Sequence, residues 1–143
     1  MKPLNELKLT LLSKSTNESF SRVAVAAFLS QLDPTIEEIN DIKTAVSEAV
    51  TNCIVHAYKE RIGKIYITVS IYEDRTVSIR IRDNGCGIED IDKAREPLFT
   101  TAGDERAGLG FAVMESFMDK VKVTSKKDKF TSVVMKKKLG MKQ

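Results

Sequence analysis

Two stretches of strict alternation constrain this chain more than any other feature. KIYITVSIYE places Ile65, Ile67, Val69 and Ile71 on one side, and TVSIRIRD does the same with Val77, Ile79 and Ile81. A period of two puts alternate side chains on opposite faces of an extended chain. The short polar link EDR between the runs makes them a β-hairpin. A sheet with one apolar face must bury it against something.

Candidate covers lie on both sides of the hairpin. STNESF offers Ser15, Thr16 or Asn17 as the N-cap of a helix, ESFSRVAVAAFLSQL. Its expected apolar face is Phe20, Val23, Ala24, Ala27 and Phe28. DPT stops that helix, and Thr35 followed by Glu38 reads as the capping box of a second one. The second helix is expected from Ile36 to Tyr58, with Ile36, Ile39, Ile42, Val46, Ala49, Val50, Cys53, Ile54 and Ala57 as its core positions. LKLTLL (Leu7 to Leu12) precedes both as a half-buried strand. After the hairpin come DNGCG, a short helical stretch IEDIDKARE ended by Pro97, and LFTTAGDERAGLG, which has no regular period. An amphipathic helix, FAVMESFMDK, and two more strands, KVKVTS and TSVVMKKKL, complete the order. Hairpin strands with helices grouped beside them predict an α+β fold: a two-layer sandwich whose mostly antiparallel mixed sheet is covered by helices on one face.

At 143 residues this is expected to be one domain, 1–143. No apolar run approaches the roughly 18 residues that span a bilayer, and the N-terminus has no signal-peptide core. A cytoplasmic protein without membrane contact is the expectation. Cys53 and Cys86 have no partner spacing for zinc or a disulfide framework, so both are read as reduced thiols. From Lys120 onward stand nine lysines and a single acid, Asp128. Without interleaved exposed aromatics, and with several alternating with apolar residues along apparent strands, these lysines are read as a solvated face, and no direct nucleic-acid contact is expected.

Several residues can carry chemistry. Glu48 and Asn52 are four apart and share a helix face with Asp41 and Ala45, away from the core stripe. No cation lies between Lys43 and Lys59, which suggests a cavity rather than solvent beyond that face. His56 has no nucleophile pattern around it and is read as structural. DNGCGIED fails as a calcium loop, because the third and fifth positions from Asp83 are Gly85 and Gly87 and the twelfth is Ala94. An acid at a strand end followed by two glycines remains. In AGLGF, Gly108 and Gly110 flank Leu109 at a helix start, where backbone N–H groups and the helix dipole favour an anion. There is no Walker-type G-x-x-x-x-G-K-[ST] motif.

An asparagine-bearing helix, then D-x-G-x-G after a hairpin strand, then G-x-G at a helix start resembles the Bergerat-type ATP-binding fold of gyrase, heat-shock-90 chaperones, histidine kinases and MutL. NESFSRV, QLDPT, SEAVTNCIVHAY, RDNGCGI, PLFTT and GLGFAVMESFMD resemble the small anti-sigma factor serine kinases, and among them the anti-sigma-F family of endospore-forming bacteria. The resemblance implies ATP and Mg²⁺ as cofactors, with Asn52 on the metal and Glu48 as general base. It assigns the adenine contact to Asp83, room for the base to Gly85 and Gly87, and support to Thr131. Phe130 stands where the family usually has glycine. It places a lid at about Thr100 to Ala107, with Thr100, Thr101, Arg106, Gly108, Leu109 and Gly110 around the phosphates. Arg22 is implied to grip protein partners. The implied activity is a homodimeric anti-sigma factor that inhibits sigma-F and phosphorylates a serine on its anti-anti-sigma antagonist. A kinase of the general stress-response sigma system and a non-catalytic, nucleotide-gated sigma-binding module are the alternatives.

Overall fold

The computed structural model describes residues 2–59, 61–88, 90–94 and 105–140, with backbone alone at 93–94 and 105–109. Alternation resolves into five strands: β1 (Asn5–Leu12), β2 (Lys64–Ile71), β3 (Thr76–Asp83), β4 (Lys120–Lys126) and β5 (Phe130–Lys138). Their order in the sheet is β1-β2-β3-β5-β4, and all four pairings are antiparallel. The expected mixed sheet is thus antiparallel throughout. β3 and β4 run in the same direction, but β5 lies between them.

The helices are α1 (Thr16–Leu29), α2 (Ile36–Asn52), α3 (Ile91–Ala94) and α4 (Glu105–Phe117). The capping box at α2 is complete: the Glu38 N–H donates to Thr35 Oγ1 at 3.0 Å, and the Thr35 N–H to Glu38 Oε1 at 2.9 Å. Helix side chains Val25, Leu29, Ile42, Val46, Val50, Phe111 and Met114 share the core with Ile65, Ile67, Val69, Val77, Ile79 and Ile81 of the sheet. None of these is more than 2% exposed. Each such burial contributes about 1.5–3 kcal/mol, which fixes the helix layer on one face of the sheet.

Three expectations are corrected. First, α1 buries Ser21, Val25 and Leu29, while Phe20 and Val23 are 52% and 57% exposed and Ala27 is exposed. VAVAAFL is apolar nearly all round, so its period cannot select a face. Ser21 tolerates burial because its hydroxyl donates to the Glu18 carbonyl at 2.6 Å. Second, Ile36 is 80% exposed as the first residue of α2. Third, the α-helix ends at Asn52, and Cys53–Ala57 forms a π turn in which the Tyr58 N–H donates to the Cys53 carbonyl at 3.1 Å. Single π turns inside helices accompany functional sites.

Candidate functional site

Glu48 and Asn52 stand one turn apart on α2, both half-buried. Their side of the helix is covered, as the missing cations suggested: Ala45 is fully buried, and Asp41 lies 3.6 Å from Lys137 Nζ. Lys137 also donates to the Phe117 carbonyl at 2.9 Å, at the end of α4.

The second helix face belongs to α4. That helix begins at Glu105, inside the segment expected to lack regular structure. Gly108 and Gly110 therefore lie inside the helix, at its fourth and sixth residues, rather than ahead of it. Gly110 is buried directly against α2. A Cβ there would stand 3.2 Å from both amide atoms of Asn52 and 3.3 Å from Glu48 Oε2. Any larger residue at 110 would press on both groups. Asn52 Nδ2 is buried with no hydrogen-bond partner among the described residues. A buried polar group left this way costs about 1–3 kcal/mol, which a ligand at the amide would recover.

The opposite wall ends β3. Asp83 is 3% exposed and sits in register with Thr131 of β5. Its Oδ1 accepts the Gly85 N–H at 2.9 Å. The Cys53 thiol and the Thr131 backbone amide also favour the charged form of this carboxylate. Burial nonetheless pushes the Asp83 pKa up, against those effects. Burial, then the charge of Asp83, holds the Cys53 pKa well above the ordinary thiol value, so Cys53 remains a protonated thiol. Helical periodicity marked Cys53 as plain core, and alanine would fit the same pattern. Its contact with Asp83 depends on where β3 ends.

The loop after Asp83 is fastened at almost every residue. The Asn84 N–H donates to Tyr58 Oη at 2.7 Å, and Tyr58 Oη donates to the Lys64 carbonyl at 2.6 Å. The Cys86 N–H donates to the Ala57 carbonyl at 3.1 Å, and the Cys86 carbonyl accepts from the Asp128 N–H at 2.6 Å. Cys86, unremarkable in the sequence, is thus a backbone staple; its thiol donates to the His56 carbonyl at 3.3 Å. The Ile88 N–H donates to Ser125 Oγ at 2.7 Å, and that hydroxyl lies 2.8 Å from Thr131 Oγ1. Packing within the protein explains both glycines. A Cβ on Gly85 would meet the Ala57 carbonyl at 2.4 Å, and Gly87 has φ +71° against the Lys126 carbonyl.

Arg22 lies apart from these walls. Its Nε is 3.6 Å from Glu18, whose carboxylate accepts the hydroxyl of Ser47, the residue before Glu48. Sequence reading missed this α1–α2 link because the two residues are 29 apart. Thr100 and Thr101 lie outside the described residues, as do the side chains of Arg106 and Leu109. Among the described residues no three His, Cys, Asp or Glu side chains gather to hold a metal by themselves, and no helix is long and apolar enough to cross a membrane.

Comparison with known proteins agrees with this layout. A family model for the histidine kinase-like ATPase domain matches residues 14–137. Anti-sigma F factor of Clostridium acetobutylicum is 55% identical over 138 residues, covering 96% of both chains. That of Caldanaerobacter subterraneus is 58% identical over 137 residues, covering 95% of both. Among solved structures, the RsbU and RsbW domains of a Mycobacterium tuberculosis protein superpose with a TM-score of 0.73 at 19% identity, over 98% of this chain and 34% of that one. The SiaB–SiaC complex of Pseudomonas aeruginosa gives 0.66 at 14% identity, over 94% and 89%. These two establish the fold, while the sequence matches extend over nearly the whole chain at more than half identity. The chain belongs to the anti-sigma F factor family, built on the histidine kinase-like ATPase domain.

Proposed function

We propose that this chain binds Mg-ATP between α2, the β3 loop and α4, and transfers the γ-phosphoryl group to a serine of an anti-anti-sigma antagonist protein. In its second activity it is a homodimeric, cytoplasmic anti-sigma factor that holds the sporulation sigma factor sigma-F inactive. The observation that carries the nucleotide site is the meeting of Glu48, Asn52 and Gly110, with an orphan buried amide at its centre.

The residues divide the work. Asp83 presents a buried carboxylate to the exocyclic amine of adenine, and Thr131 with Ser125 steadies it. The Gly85–Gly87 segment forms a fixed wall for the base. Gly108, Leu109 and Gly110 admit the phosphates to the start of α4, where the positive end of the helix dipole favours them. Thr100, Thr101 and Arg106 are assigned to the phosphates on the family resemblance alone. Asn52 is the protein's ligand for Mg²⁺; a set this sparse suits a cation that brings most of its ligands as water and phosphate oxygen. Held there, Mg²⁺ would neutralise charge on the phosphoryl oxygens. Glu48 takes the proton of the attacking serine hydroxyl as the serine oxygen–phosphorus bond forms. The bond from the γ-phosphorus to the bridging oxygen breaks, and ADP leaves with the electron pair.

Partner capture is assigned to α1, where Arg22 lies among exposed Phe20 and Val23. The names of the relatives support this reading. Co-purification from the native cell tests it: a sigma factor and a small antagonist should accompany the tagged chain. Arg22→Ala should lower sigma-factor recovery about tenfold, as losing an anchoring interface arginine does, while ATP affinity is unchanged. Equal recovery would remove Arg22 from the interface.

Tyr58 gives a separate expectation. Tyr58→Phe leaves the Asn84 N–H without its acceptor, a cost of about 1–3 kcal/mol in stability. ATP affinity should fall by roughly 3–10-fold, equivalent to about 0.7–1.4 kcal/mol of lost positioning. The kcat at saturating ATP should be unchanged, because Glu48 is untouched. A fall in kcat without a fall in affinity would contradict this division.

A further inference from the structure

The face of the sheet turned away from the helices carries a segregated charge that the nucleotide site does not use. Of its 21 outward strand positions, nine are Lys or Arg and one, Glu6, is acidic. Eight of the others are hydroxyl residues and three are apolar. The face is therefore net +8 on a chain of net +3, which leaves −5 for everything else. Among the described residues no element packs over it.

Edge protection explains part of this. Lysines on an edge strand such as β4 discourage sheet-to-sheet pairing. That explanation does not reach Arg80 and Arg82, which stand on β3 at the centre of the sheet. In register with Arg80 lie Lys8 two strands to one side and Lys122 two strands to the other. Cations thus recur every ~7 Å along strands and ~10 Å across them. Arg80 Nε donates to Ser132 Oγ at 3.2 Å, and the Arg82 guanidinium lies 4.7 Å over the Phe130 ring. In the sequence Phe130 is the single aromatic among the C-terminal lysines; folding brings Arg80 and Arg82 of β3 beside it.

We infer that this bare sheet face binds single-stranded nucleic acid, its cations meeting phosphates and the Arg82–Phe130 pair giving a base a surface to stack on. The composition separates this occupant from others. Protein interfaces deplete lysine and depend on apolar or aromatic anchors, whereas nucleic-acid interfaces are polar and strongly cationic. Bilayer insertion needs a contiguous apolar wedge, but Phe130 is covered by Arg82, Val134 is half-buried, and the exposed Leu12 stands alone at the end of edge strand β1. A second copy would bring the same charge and be repelled.

Fluorescence anisotropy with a labelled 20-nucleotide single strand tests the inference on the full chain. At 50 mM salt the Kd should be on the order of 1–10 μM, and about five phosphate contacts should weaken it roughly 100-fold by 200 mM. Arg80→Glu/Lys122→Glu should weaken binding more than about 10-fold at 50 mM salt, since it removes two contacts and adds two repulsions. ATP affinity should be unchanged, because neither residue borders Asp83, Glu48 or Asn52. Should charge reversal unfold the sheet, Arg80→Gln/Lys122→Gln carries the same test, with a smaller loss. The inference is overturned if the wild-type chain does not bind at 50 mM salt, if binding ignores salt, or if the folded variant binds as well. It is equally overturned if phosphatidylserine vesicles or polyglutamate bind more tightly than the oligonucleotide.

Discussion

Glu48→Ala is expected to lower phosphate transfer by about 10²–10⁴-fold, the range for removing a positioned general base. That corresponds to about 2.7–5.4 kcal/mol of lost transition-state stabilisation. ATP should bind with affinity within about threefold of wild type, because phosphate and adenine contacts lie on other residues. The substitution deletes side-chain atoms beside Gly110 without touching the sheet core, so the fold should persist. Glu48→Gln, which keeps the shape and loses the base, should be nearly as inactive. Transfer at the wild-type rate in either variant would move the base elsewhere.

Asp83→Asn should act on the other half of the reaction. The wild-type carboxylate already accepts the Gly85 N–H and retains acceptor capacity for an adenine amine. An asparagine that keeps the Gly85 bond turns its own NH₂ towards that amine, donor against donor. Losing a hydrogen bond to a charged acceptor costs about 1.5–3 kcal/mol, or roughly a 10- to 150-fold loss of ATP affinity. Stability should respond with a definite sign. Burial raises the Asp83 pKa, so the folded state holds this proton more tightly than the unfolded chain. Its stabilising contribution is complete below the unfolded carboxylate value and is lost as pH rises through the folded value. The amide that replaces it does not titrate. The Tm of Asp83→Asn relative to wild type should therefore increase from pH 4 towards neutrality, measured by thermal melts without nucleotide. A flat or falling difference would contradict the direction assigned to Asp83.

What could be seen in the sequence follows from the range of each signal. Alternation at Ile65–Ile71 and Val77–Ile81 is local, and both strands formed as expected. The Thr35–Glu38 box and the Glu48–Asn52 pair are also short-range and were legible. On α1 the signal was ambiguous: apolar residues surround the helix, and tertiary packing chose Val25 and Leu29 over Phe20 and Val23. The two glycines near the start of α4 masked helical character, which tertiary contact with α2 restored. The π turn leaves no mark in CIVHA; its last carbonyl, that of Ala57, pairs with the Cys86 N–H 29 residues on, a contact no local pattern shows. The links Tyr58–Asn84, Cys53–Asp83 and Glu18–Ser47 join residues 26 to 30 apart, beyond any periodicity argument.

The central claim is that Glu48, Asn52, Asp83 and Gly110 form one site that moves phosphate from ATP to a protein serine. Incubation of the purified chain with γ-labelled ATP, Mg²⁺ and its antagonist protein addresses it most directly. The expected result is label on a single antagonist serine with the wild-type chain and almost none with Glu48→Ala. An antagonist that stays unlabelled while the wild-type chain demonstrably binds ATP would contradict the claim and leave the nucleotide as a conformational effector.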